Sequence, residues 1–169
     1  DVAVEDYIQK GYLKEAIINF VSLLGWNPGG GEIQEIFSLE ELINRFDFAH
    51  VHKGGAVFDT QKLDWINSEW IKKLSIDELY NKSKEFWEQK EFIKAWNVER
   101  GTWNEKEKEN YLKKVLAIEQ DRLTKLSEIG ESNKFFFGDI KYDNELLKWK
   151  DMSNEELKKK KKKSQHVLE

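Results

Sequence analysis

The stretch Leu13-Lys14-Glu15-Ala16-Ile17-Ile18-Asn19-Phe20-Val21-Ser22-Leu23-Leu24-Gly25 decides the fold class. Leu13, Ala16, Ile17, Phe20, Val21 and Leu24 recur at steps of three and four, which lines them along one face of a helix with 3.6 residues per turn. Gly25 follows where a left-handed C-terminal cap costs least, and Pro28 stands shortly beyond. The next residues, Asn27-Pro28-Gly29-Gly30-Gly31, lack the Lys-Ser/Thr of a phosphate-binding loop and follow no strand pattern, so they read as a plain connecting loop.

Outward from this helix the same start signal recurs. Ser38-Leu39-Glu40-Glu41 is a capping box: the Ser38 hydroxyl accepts from the amide three residues on, and Glu41 reaches back to the cap amide. It opens a helix carrying Leu42, Ile43 and Phe46. Ser75-Ile76-Asp77-Glu78, Thr102-Trp103-Asn104-Glu105 and Ser153-Asn154-Glu155-Glu156 fit the same pattern, and Asp143 is a single cap before Leu146 and Leu147. The only β-like run is Ala56-Val57-Phe58, and one short run cannot form a sheet. The sequence therefore predicts a mainly α chain.

Composition narrows the class. The chain has 169 residues, enough for one ordinary domain or two small helical ones. Charged residues of both signs make up 36%, but 13% aromatics and seven Trp exclude the disordered class. The lack of cysteine removes disulfides, thiolate metal sites and a cysteine nucleophile, and suits a reducing, cytoplasmic compartment. No apolar run approaches the length of a membrane span. The acidic opening, without Met, implies that Asp1 is a cut point in a longer protein. Residues 1–75 hold 7 Lys+Arg against 12 Asp+Glu, the rest 21 against 20, so a junction between two helical units is expected near Ser75. Lys158 to Lys163 read either as a solvated helix end or as a local phosphate-facing patch.

No catalytic constellation is visible. His50 and His52 are two apart but lack the further ligands that a metal needs, so neither metal nor catalytic residues are expected. Arg122 stands four residues from both Ile118 and Leu126 on an expected helix from about Asn104 to Glu128, in line with apolar neighbours. It is either a boundary Arg whose stem covers the core or a planar donor fork offered to a base edge or phosphate. An alternative of another class is a protein-interaction module that docks a partner through exposed Trp87, Trp96 and Trp103.

Gly11 to Trp26, Glu35-Ile36-Phe37-Ser38-Leu39-Glu40-Glu41-Leu42-Ile43, Ala56-Val57-Phe58-Asp59 and Lys62-Leu63-Asp64-Trp65-Ile66-Asn67 closely resemble bacterial glutamyl-tRNA synthetases in order, spacing and content. Arg122-Leu123-Thr124-Lys125-Leu126 and Phe135-Phe136-Phe137 extend the likeness more loosely. The resemblance implies a class I ligase that joins glutamate to its tRNA with ATP and Mg2+, of which this chain lacks both ATP-binding motifs and so cannot itself catalyse the reaction. It implies that residues 1–74 are the later part of a stem-contact domain and 75–169 the first anticodon-binding helical bundle, stopping before a second. The implied partner of this monomer is tRNA(Glu), not DNA or a membrane. By the same likeness Arg122 reads the third anticodon base, as in discriminating members, and Lys53, Lys62, Trp65 and Asn67 lie near the tRNA stem. His50, His52 and Gly54-Gly55 depart from the Ser-Pro pair that commonly precedes Ala-Val-Phe-Asp.

Overall fold

A computed structural model describes residues 3–31, 33–52, 54–55, 57–99, 103–138, 153 and 155–156. They fall in two units, one within Asp1–Gly138 and one within Asp139–Glu169. Lys53, Ala56, Thr102, Asp143 and Lys158 to Lys163 lie outside the described residues.

The first unit is helical: α1 Val4–Gln9, α2 Lys14–Gly25, α3 Leu39–Arg45, α4 Thr60–Lys73, α5 Ile76–Gln89, α6 Glu91–Glu99 and α7 Glu105–Glu119, with short 3-10 turns at Phe48–His50, Gln120–Arg122, Leu126–Glu128 and Lys134–Phe136. Among the described residues the only extended pairing is one antiparallel bridge between Trp26 and Val51. Val57 is an exposed coil residue, while the Phe58 ring meets Phe20 at 4.9 Å.

Local capping sets several boundaries. The Glu41 amide donates to Ser38 Oγ at 3.1 Å and Glu41 Oε2 accepts from the Ser38 amide at 2.7 Å. The Ser75–Glu78 box closes the same way, as does Ser153–Glu156 in the second unit. These bonds favour the charged carboxylates and hold the Glu41 and Glu78 carboxyls below their ordinary range.

Three expectations are corrected. Gly25 is the last helical residue and the chain leaves through extended Trp26, so no left-handed cap forms. The Gly25 carbonyl instead accepts from the His52 amide at 2.8 Å. The third capping box is Asn104 with Glu107, not Thr102 with Glu105. From that start α7 buries Leu112, Val115 and Leu116. Finally, Trp87 and Trp96 are each 2% exposed. Trp96 stacks on Tyr111 at 5.2 Å and meets Trp103 and Phe137 edge-on, so these rings form core rather than a docking surface.

One apolar core runs from Tyr12 and Leu13 through Leu63, Ile66, Ile71, Leu79, Trp87 and Leu116 to Ile129 and Phe137. A small satellite of Trp26, Phe37 and Leu42 sits beside it. Only Leu74 separates α4 from the Ser75 cap of α5, and the core continues on both sides of that point.

Candidate nucleic-acid interface

Asp59 caps α4 by accepting from the Gln61 and Lys62 amides, at 2.9 and 3.2 Å. The helix then buries Leu63, Ile66, Asn67 and Ile71 and leaves Lys62 and Trp65, three apart, on its outer face. Lys62 Nζ pairs with Glu35 Oε1 at 2.6 Å, and Trp65 is 42% exposed. Asn67 has no exposure at all. Its Oδ1 accepts from the Leu13 amide at 2.8 Å and its Nδ2 donates to the Thr124 carbonyl at 2.6 Å. With both ends of its amide used inside the chain, Asn67 holds other segments in place and does not face a stem.

Arg122 is not on a helix. Helix α7 stops at Glu119, and a 3-10 turn over Gln120–Arg122 follows. Tertiary bonds end the helix. The buried Glu119 carboxylate accepts from the Gly130 amide at 3.0 and 3.1 Å and from Asn133 Nδ2 at 3.1 Å. Gln120 Nε2 donates to the Ile71 and Leu74 carbonyls, at 2.9 and 2.8 Å, at the end of α4. Leu123 then enters the core. The expected line through Ile118, Arg122 and Leu126 is thus broken: Ile118 is 57% exposed, Leu126 is buried on a later turn, and Arg122 stands in solvent.

The backbone that carries Arg122 is pinned before and after it: Glu119 and Gln120 anchor one side, Leu123 and Thr124 the other. Thr124 and Lys125 also donate their amides to Glu128 Oε2, at 2.9 and 3.2 Å. Lysines of this region carry acidic partners: Lys62 with Glu35, Lys72 with Glu69, Lys125 with Asp64, and Lys90 and Lys134 with Glu131. Arg122 has no ion pair with any described residue. A fixed position, an exposed fork and an unused charge suit a guanidinium to an external acceptor such as a phosphate oxygen or a base edge.

Asn19, Gln120, Glu119 and Gly11 are the positioning residues that sequence reading misses. Buried Asn19 donates to the Glu35 carbonyl and accepts from the Phe37 amide at 3.0 Å each, and also accepts from Trp70 Nε1 at 3.2 Å. Nothing in local pattern marks these amides, because their partners lie far along the chain. Two other features stay peripheral: His50 Nδ1 lies 3.8 Å from Asp47, and His52 Nε2 is 2.6 Å from Asn27 Nδ2.

Glu119 gives a testable pH dependence. Burial, the strongest influence, raises its carboxyl above the ordinary 4.5, against the Gly130 and Asn133 hydrogen bonds that favour the charge. Between the unfolded and folded values the native state holds the extra proton. This contribution to stability is therefore complete below the unfolded value and lost as pH rises through the folded one. Glu119→Gln, which keeps a carbonyl for the Gly130 amide, should lack that component. Thermal melts from about pH 4 to pH 7 should show wild type losing ground relative to the variant as pH rises. A difference independent of pH would refute the assignment.

The described residues form a helical segment with an exposed guanidinium on an anchored turn, and comparison with known proteins states its family. Residues 67–169 match the model of the anticodon binding domain, and residues 1–65 match that of the class I tRNA synthetases (E and Q), catalytic domain. The chain belongs to the anticodon binding domain family, and its first 65 residues are similar to the class I synthetase model. The boundary between the two matches falls inside α4, between Trp65 and Asn67.

A glutamate–tRNA ligase of Prosthecochloris aestuarii is 41% identical over 93% of this chain and 31% of its own length. One of Clostridium botulinum is 39% identical over 90% of this chain and 28% of its own. The glutamate-tRNA synthetase structure from Elizabethkingia anophelis aligns with a TM-score of 0.63 at 30% identity, over 83% of this chain and 26% of that one. The chain thus spans about three-tenths of the length of these curated relatives.

Proposed function

We propose that this chain is the tRNA-holding part of a glutamate–tRNA ligase, a protein that as a whole attaches glutamate to tRNA(Glu) with ATP. Residues 1–74 belong to the stem-contact side, with Lys62 and Trp65 on the outer face of α4. Residues 75–169 belong to the anticodon side, with Arg122 reading the third anticodon base. The observation that carries this reading is Arg122 itself: exposed, without an ion-pair partner among the described residues, and mounted on a turn anchored at both ends. Single-stranded anticodon bases suit such a group because they can be splayed out and hydrogen-bonded along their edges.

ATP with Mg2+ belongs to the whole ligase. Among the described residues no group of three His, Cys, Asp or Glu could hold a metal ion, and the Gly29–Gly31 loop follows a helix and lacks Lys-Ser/Thr. No step of the activation chemistry is assigned to these residues. The working compartment is the cytoplasm and the working state a monomer. No described helix is long and apolar enough to cross a membrane.

The test is a titration of this chain with tRNA(Glu) and with the same tRNA carrying a changed third anticodon base, each at two salt concentrations. Phosphate contacts make affinity fall steeply with salt, by a slope of about −0.7 per neutralised phosphate on single strands. Wild type should show that slope and prefer the cognate anticodon. Arg122→Gln should reduce the preference about tenfold, the worth of one good base contact. Binding that ignores both salt and anticodon would overturn the reading.

A further inference from the structure

Gln120 and Asn67 tie the Arg122 turn, before and after it, to one helix. The Gln120 amide reaches the Ile71 carbonyl of α4 and that of its C-cap Leu74, at 2.9 and 2.8 Å. Asn67, in the middle of α4, reaches the Thr124 carbonyl at 2.6 Å. Arg122 lies between these two attachments, and both lead to the same rigid rod. We propose that Gln120 and Asn67 are positioning residues for base reading, fixing the Arg122 backbone against α4 so that its guanidinium meets one base edge in one register. The proposal rests on the reading of Arg122 given above.

The physical need is specific. An Arg side chain has several rotatable bonds, and a bidentate contact to a base edge tolerates little misplacement. A mobile turn would add backbone freedom to that of the side chain, and the guanidinium would then reach phosphates and wrong bases as readily as the right one. Overall attraction to RNA would persist while discrimination fell. Gln120 is well suited to this role because both of its amide hydrogens go to carbonyls of another element. A carboxylate of the same size would face those carbonyls, and the negative end of α4, with no donor.

The experiment measures the ratio of dissociation constants for the cognate tRNA and the third-base variant. It uses the 169-residue chain as wild type, Arg122→Gln, Gln120→Ala, Gln120→Glu and the double variant Gln120→Ala with Arg122→Gln. Gln120 is only half-buried and belongs to no part of the apolar core, so Gln120→Ala should stay folded by circular dichroism. Expected are a ratio near one for Arg122→Gln and a ratio lowered at least about threefold in Gln120→Ala, with more loss in Gln120→Glu. The salt slope should be unchanged in both Gln120 variants, and the double variant should discriminate no worse than Arg122→Gln.

A merely structural Gln120 would weaken both tRNAs equally, which overturns the proposal while Arg122 keeps its role. A further loss in the double variant would show Gln120 acting independently of Arg122 and has the same consequence. If Arg122→Gln leaves the ratio unchanged, or wild type binds neither tRNA, the Arg122 reading falls and the positioning role falls with it.

Discussion

Gly11→Ala should cost about 3–5 kcal/mol, a large share of the stability of a domain this size. Gly11 has φ of +92°, where any side chain is strained, and a Cβ there would stand 2.5 Å from the Ser127 nitrogen and 2.7 Å from the Leu126 nitrogen. Those atoms are backbone and cannot swing aside. The Leu126 amide donates to the Gly11 carbonyl at 2.9 Å and Ser127 Oγ to the Lys10 carbonyl at 2.8 Å. Moving the two strands of chain apart therefore breaks bonds as well as relieving the clash. Strain of about 1–2 kcal/mol, overpacking of about 1–3 and hydrogen-bond loss of about 1 sum to about 3–6, which covers the stated range. Urea unfolding monitored by Trp fluorescence reads it directly. Gly25→Ala is the control: nothing lies within 4 Å of its Cβ position and its φ is not positive, so that change should be neutral or slightly stabilising. A loss below about 1 kcal/mol for Gly11→Ala would mean that the junction is looser than these distances require.

Asn67→Ala should cost about 2–4 kcal/mol, because it strands the Leu13 amide and the Thr124 carbonyl without partners. Asn67→Asp is the more telling substitution. It keeps an acceptor for the Leu13 amide but turns a second oxygen toward the Thr124 carbonyl, where Asn67 now donates. At neutral pH it should be no more stable than Asn67→Ala, although it preserves size and shape. Stability of Asn67→Asp equal to wild type, measured by the same urea unfolding, would show that the Thr124 bond contributes nothing.

Tyr12 and Asp64 extend the same junction. The Tyr12 hydroxyl donates to the Asp64 carboxylate, which also pairs with Lys125 at 3.2 Å, and Lys125 lies over the Tyr12 ring. Burial first, and the bond to Asp64 second, raise the Tyr12 hydroxyl above its ordinary value, so it remains a donor at any physiological pH. The segment after Arg122 is thus tied to α4 and to the residues just before α2 through Tyr12, Asp64 and Asn67 together.

Legibility varied by element for a physical reason. Ser38, Ser75 and Ser153 mark their helix starts because a cap bond spans three residues and needs nothing from the rest of the chain. The apolar line of α2 likewise shows which face goes inward: Ala16, Ile17 and Phe20 are buried, although Val21 at the edge of that line is 53% exposed. At residues 102–107 two overlapping boxes satisfy the same local rule, and the local pattern does not distinguish Asn104, where α7 is capped, from its neighbour. The three Trp of the alternative reading carry no local sign of burial, since an aromatic at helical spacing serves a core or a docking surface equally well.

Short-range pattern along the chain is enough to show that it is mainly α, where several of its helices begin, and which family its ordered blocks of residues resemble. Tertiary structure alone decided that α7 ends at Glu119, that Arg122 rides on an anchored turn, and that Asn67 works inside the chain. The bonds responsible join residues 11 to 57 positions apart, from Glu119 with Gly130 to Asn67 with Thr124. Whether an amide reaches a distant carbonyl or a solvent molecule depends on how helices pack, and the packing is a property of the whole core rather than of any window along the chain.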